Sequence, residues 1–197
     1  MLLTLLLVLP ASLPAETLFG SDEVLEVRIT GPVDSMIQNK EVRKESPFVL
    51  NADGTDHDVY IRVRGKSRAR ICTFPPLRLD FKTKETVGTL FDGQDKLKLV
   101  THCKNYDRAE TDMLQEYIAY RVFNAITDKS YRVRLLRIHY DDTDKQLSKK
   151  AAHRYGFLLE PASEFAARVG VERQRVKMLV TSTLDREYAA RMFVFQY

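Results

Sequence analysis

Basic side chains recur at every second position in several stretches of this sequence, a spacing suited to gripping phosphate. Arg62 and Arg64 are two apart, as are Lys96 and Lys98; Arg78 and Lys82 are four apart. Residues two apart in an extended strand share a face, so each pair projects its cations together. The connection Gly65-Lys66-Ser67-Arg68-Ala69-Arg70 adds three cations, a hydroxyl and a glycine that permits tight backbone geometry. Guanidinium groups take phosphate oxygens through paired hydrogen bonds. The end of this hairpin is therefore expected to be an anion site, with nucleotide phosphates among its ligands. The competing reading is a solvated sheet face, made basic for solubility and to discourage edge pairing.

Other chemistries lack their residues. The sequence has no Gly-rich loop ending in Lys-Ser/Thr and no Gly-x-Ser-x-Gly elbow. His57, His102, His139 and His153 show no zinc-protease spacing. Cys72, His102 and Cys103 could meet at a metal, but a Cys72–Cys103 disulfide between neighbouring strand ends is the leading expectation, ahead of two buried thiols. Lys plus Arg number 31 against 27 Asp plus Glu, a net charge of +4. That excess is mild, so only its distribution speaks about partners. No nucleic-acid module is recognisable, and Tyr117, Tyr120 and Phe123 read as helix core, not as a base-stacking platform.

The cations must be carried by strands. Leu25, Val27 and Ile29 alternate with polar residues, as do Val59, Ile61 and Val63, then Leu77, Leu79 and Phe81, then Leu97 and Leu99. This period of two predicts strands with one apolar face. Asn51-Ala52-Asp53-Gly54, Pro75-Pro76 and Asp92-Gly93 supply turns. The period then changes. Asp107 with Glu110 resembles a capping box, and Leu114, Ile118, Val122 and Ala125 follow at helical spacing as the expected core stripe. Strands return over 131–140 and 155–160, separated by a polar hairpin loop, and a second helix is expected from about Ser182. The fold class is therefore α+β: an antiparallel sheet with one packed helix over 16–165, then the start of a helical lobe over 166–197.

Residues 2–9 form an apolar run broken by Pro10 and followed by small residues up to Ala15. The run is shorter than the about 20 residues a membrane helix needs. It predicts a signal peptide over 1–15, cleaved after Ala15, and hence an exported protein, periplasmic or extracellular. No later stretch is long and apolar enough for a transmembrane helix. The last helix stops mid-pattern at Tyr197, so the sequence is expected to be part of a longer protein.

In order, Val63-Arg64-Gly65-Lys66-Ser67-Arg68, Phe74-Pro75-Pro76-Leu77-Arg78-Leu79-Asp80-Phe81 and Tyr155-Gly156-Phe157-Leu158-Leu159-Glu160 resemble the start of the spore-coat CotH family of kinase-like proteins. The resemblance spans about 59–165. It implies an atypical kinase fold with a kinase N-lobe-like sheet, binding ATP with Mg or Mn and phosphorylating a protein substrate. By resemblance Arg64, Ser67 and Arg68 lie near the nucleotide and Arg78 faces its phosphates. The stretch 157–160, ending in Glu160, forms the edge that meets the adenine, and Glu116 pairs with a strand cation. Arg78 and Pro76 stand where a Lys is expected, and Glu116 falls opposite the predicted apolar stripe. Phosphoryl transfer also needs a positioned base and metal-binding carboxylates. In the family these follow the helix expected near Ser182, so no catalytic residue is assigned here. The alternative function is a non-catalytic envelope or surface module that binds an anionic polymer through the basic sheet face.

Overall fold

Alternation builds the wall of a barrel. The computed structural model describes residues 17–174, 182 and 184–196; the expected leader lies outside them. The strands are β1 (Leu25–Gly31), β2 (Ser46–Ala52), β3 (Thr55–Val63), β4 (Leu77–Phe81), β5 (Lys96–Val100), β6 (Val133–Asp142) and β7 (His153–Leu159). They close in the order β1-β2-β3-β4-β5-β7-β6. Their inward positions, among them Ile29, Leu50, Ile61, Leu79, Leu97, Leu136 and Leu158, are at most 1% exposed and form one continuous core. Each such side chain contributes about 1.5–3 kcal/mol when fully buried.

This corrects the expected antiparallel sheet with a packed helix of kinase N-lobe type. β1 pairs with β6 in parallel from Leu25↔Leu136 through Gly31↔Asp142, and that ladder leaves the sheet no free edge. Gly156 lets the wall close tightly. A Cβ there would lie 2.9 Å from both the Val100 carbonyl oxygen and Ile138 Cδ1.

Helix α1 (Val33–Gln38) follows β1, and α2 (Lys66–Ile71) follows β3. The long helix α3 (Asp107–Ile126) covers the outer face of β5, β7 and β6 through Met113, Tyr117 and Tyr120, which pack with Val100, Val133 and Phe157. The predicted stripe is thus rotated. Ile118 and Val122 are 55% and 48% exposed and Ala125 also faces outward; only Leu114 joins the packed face. The expected capping box is absent too. Tyr106 occupies the N-cap, and Asp107 and Glu110 each hold Arg154 at 3.0 Å. Helix α4 (Lys149–Ala152) leads into β7, and α5 (Ala162–Val169) leaves it. The last helix, α6 (Arg186–Gln196), begins at Arg186, where the Asp185 carboxylate accepts the Tyr188 amide at 2.9 Å. No helix among the described residues is long and apolar enough to cross a membrane.

Candidate anion site

Strand register places the cations. On the outer face Arg62, Arg78 and Lys98 stand side by side across β3, β4 and β5. Part of this face is neutralised from within. Glu45 pairs with Arg78 and lies 3.4 Å from Arg62 Nε. Asp80 is 3.3 Å from Arg78 and 3.6 Å from Lys96, and Lys96 also meets Asp95 at 2.9 Å.

Arg64 and Lys98 differ. Both are half-buried, and neither has an ion pair among the described residues. Burial pushes the Arg64 guanidinium below its ordinary value, and the nearby Arg68 and Arg62 push it further; Tyr120 and Glu116 of α3 act in the opposite direction. Burial also lowers Lys98, with Arg64 and Arg173 adding repulsion. Half-buried cations that repel one another are stabilised by a multivalent anion. On the helical side, burial first and then Glu116 raise the Tyr120 phenol, which keeps it a neutral donor.

The backbone fixes this centre. The Arg64 amide donates to the Pro76 carbonyl at 2.8 Å, and Gly65 turns the chain at φ 83°, a left-handed geometry that favours glycine, into α2. Cys72, at the end of α2, is disulfide-bonded to Cys103, just before α3. The Phe74 amide and the Thr73 hydroxyl both donate to the Cys103 carbonyl, at 2.9 and 3.2 Å. The bridge therefore ties the element bearing Arg68 to the approach of the helix bearing Glu116. It also settles the choice among disulfide, metal and free thiols.

The remaining expected residues fare unequally. Glu116 lies on the packed side of α3, within electrostatic reach of Arg64, because the helix is rotated from the predicted stripe. Ser67 and Arg68 are exposed on α2. Arg78 is engaged by Glu45 and Asp80. Glu160 is 3% exposed; it takes Arg168 Nε at 2.9 Å and Nη2 at 2.8 Å and accepts the Arg132 amide at 3.0 Å. The stretch 157–159 is paired on both sides, by β5 and by β6, so it offers no free edge to an adenine. Lys98 was legible as part of an alternating basic strand. Tyr120 and Arg173 carried no such signal, since their part in the site depends on where α3 and the segment after α5 come to rest.

Mg or Mn, implied by the resemblance, finds no donor set here. Among the described residues no group of three or more His, Cys, Asp or Glu could hold a metal, and Asp80 is already engaged by Arg78 and Lys96. No family model and no curated protein matches the chain.

Proposed function

We propose that the chain holds the phosphate groups of a nucleotide, ATP by the motif resemblance, between Arg64, Lys98 and Arg68, with Tyr120 as a neutral donor. The observation that carries this reading is the pair of half-buried cations, Arg64 and Lys98, neither of which forms an ion pair among the described residues. The reading rests on this centre and on the order of the CotH-like motifs, not on a kinase lobe. In it the chain is the nucleotide-holding part of an exported, periplasmic or extracellular CotH-like protein whose transfer chemistry lies elsewhere. The Cys72–Cys103 disulfide agrees with an oxidising compartment.

An anionic polymer on the basic sheet is the weaker reading. A polymer needs a continuous uncompensated track, and Glu45, Asp80 and Asp95 interrupt this one.

Calorimetric titration of the oxidised chain tests the choice. ATP and pyrophosphate should bind one to one and adenosine should not. Arg64→Ala and Lys98→Met should each weaken ATP about tenfold, or about 1.4 kcal/mol. Affinity that grows with the length of a polyphosphate and ignores both substitutions would favour the polymer and sink the nucleotide reading.

A further inference from the structure

The register that builds the wall also sorts the four histidines. His57 and His102 are buried, at 5% and 0% exposure, in β3 and just before α3. His139 is half-buried and His153 exposed, both on the outer wall. Distant in sequence, these two stand directly opposite each other in the antiparallel ladder of β6 and β7. Their ring centroids are 4.1 Å apart, with the ring planes at 77°. Two imidazoles so placed are the donor pair of a chelate. Metal–imidazole bonds of about 2.0–2.1 Å set the two nitrogens about 3 Å apart. Rings in contact across a ladder reach that spacing by turning in place.

Asp141 orients the first ring. Its Oδ1 lies 3.0 Å from His139 Nε2, and its Oδ2 takes Arg28 Nη1 at 2.6 Å. A carboxylate paired with arginine only accepts, so in the neutral ring Nε2 carries the proton and Nδ1 keeps its lone pair. Metal-binding histidines are held in this way, the second ring nitrogen donating to a carboxylate. Arg28 is the register partner of His139 on β1, and Asp141 matches its charge. The ring of His153 is exposed and has no hydrogen-bond partner among the described residues. The donors also choose the ion. Imidazole suits Zn, Cu and Ni, where carboxylate and water suit Mg, Ca and Mn, and Cu(II) heads the divalent series at a nitrogen site. Among the described residues no group of three or more His, Cys, Asp or Glu could hold a metal. The protein therefore supplies two nitrogens, and the other positions fall to water.

We propose that His139 and His153 chelate a late divalent transition-metal ion, Cu(II) most tightly, with His139 binding through the ring nitrogen that Asp141 leaves free. The site is separate from the proposed nucleotide site and does not depend on it.

The test is a titration of the full oxidised chain with Cu(II) chloride at neutral pH, followed by electron paramagnetic resonance. One equivalent should bind, with coupling to two nitrogens. His153→Ala turns a chelate into a single bond; it should weaken binding about a hundredfold and leave coupling to one nitrogen. Asp141→Asn should weaken binding about tenfold and keep both nitrogens. Mn(II) should not saturate the chain at concentrations where Cu(II) does. Undiminished Cu(II) binding by either variant would overturn the proposal, as would Mn(II) binding as tightly as Cu(II). Proton NMR of the unaltered chain gives a second reading that needs no variant. Substoichiometric Cu(II) should broaden the ring signals of His139 and His153 before any others. Broadening that begins at His57 or His102 would place the ion elsewhere and also overturn the proposal.

Discussion

Two halves of one basic surface behave differently. Arg62, Arg78 and Lys96 are matched to Glu45, Asp80 and Asp95 on the open part of the wall. Arg64 and Lys98 are half-buried near α3 and carry no such match among the described residues. The first half needs nothing from outside: its charges are satisfied in pairs, each with modest effect because exposed ion pairs contribute about 0–1 kcal/mol. The second half holds cations in a state that burial and mutual repulsion disfavour, and an anion would relieve both. The count of basic residues does not separate the halves; the position of the carboxylates does.

The largest expected effect comes from cutting the tether that holds the second half together. The disulfide closes a separation of 31 residues. Its removal in Cys72→Ala/Cys103→Ala should cost about 3–4 kcal/mol on the chain-entropy model, read as a lower urea midpoint. ATP affinity should fall with it, because α2 and α3 are no longer joined. Unchanged ATP affinity in a folded double variant would show that the two halves do not depend on this link.

A smaller effect tests the strain itself. The folded-state pKa of Lys98 lies below its unfolded value, with burial the first cause. Between those two values the unfolded chain binds more protons, so stability rises with pH across that window. Below the window the destabilisation is fully present. Lys98→Met should therefore raise the melting temperature at neutral pH and flatten the rise toward the alkaline side, while ATP binding weakens about tenfold. A lower melting temperature at neutral pH would mean that Lys98 is already satisfied within the chain.

The smallest expected effect turns the first half into the second. Glu45 is exposed, and Glu45→Ala releases Arg62 and leaves Arg78 with Asp80 alone. Pyrophosphate affinity should increase by about two- to threefold, the scale of an exposed charge. No change, with the fold intact, would place Arg62 and Arg78 outside the site.

Much of this architecture was legible along the chain. Alternation marked β1, β3, β4 and β5, because a strand with one buried face must repeat every two residues. The change of period marked α3, and Cys72 with Cys103 marked the bridge. The short helices α1, α2 and α4 left too weak a pattern over so few turns, and α2 was read as a plain connection.

What the sequence determined by itself was local: which residues are extended, which are helical, and which cations share a face. Tertiary structure decided the rest. Closure of the barrel depends on a parallel ladder between β1 and β6, more than a hundred residues apart, and alternation says which face is buried but not which strand lies beside it. The rotation of α3 follows from the need to cover Phe157 with Tyr117 and Tyr120, which turned Glu116 toward Arg64 and left Ile118 and Val122 in solvent. Whether a cation is matched or left over depends on where carboxylates from distant segments arrive. For Arg78 one came from Glu45, and for Lys98 none came from the described residues, because burial and Coulomb energy are set by distances in space and not along the chain.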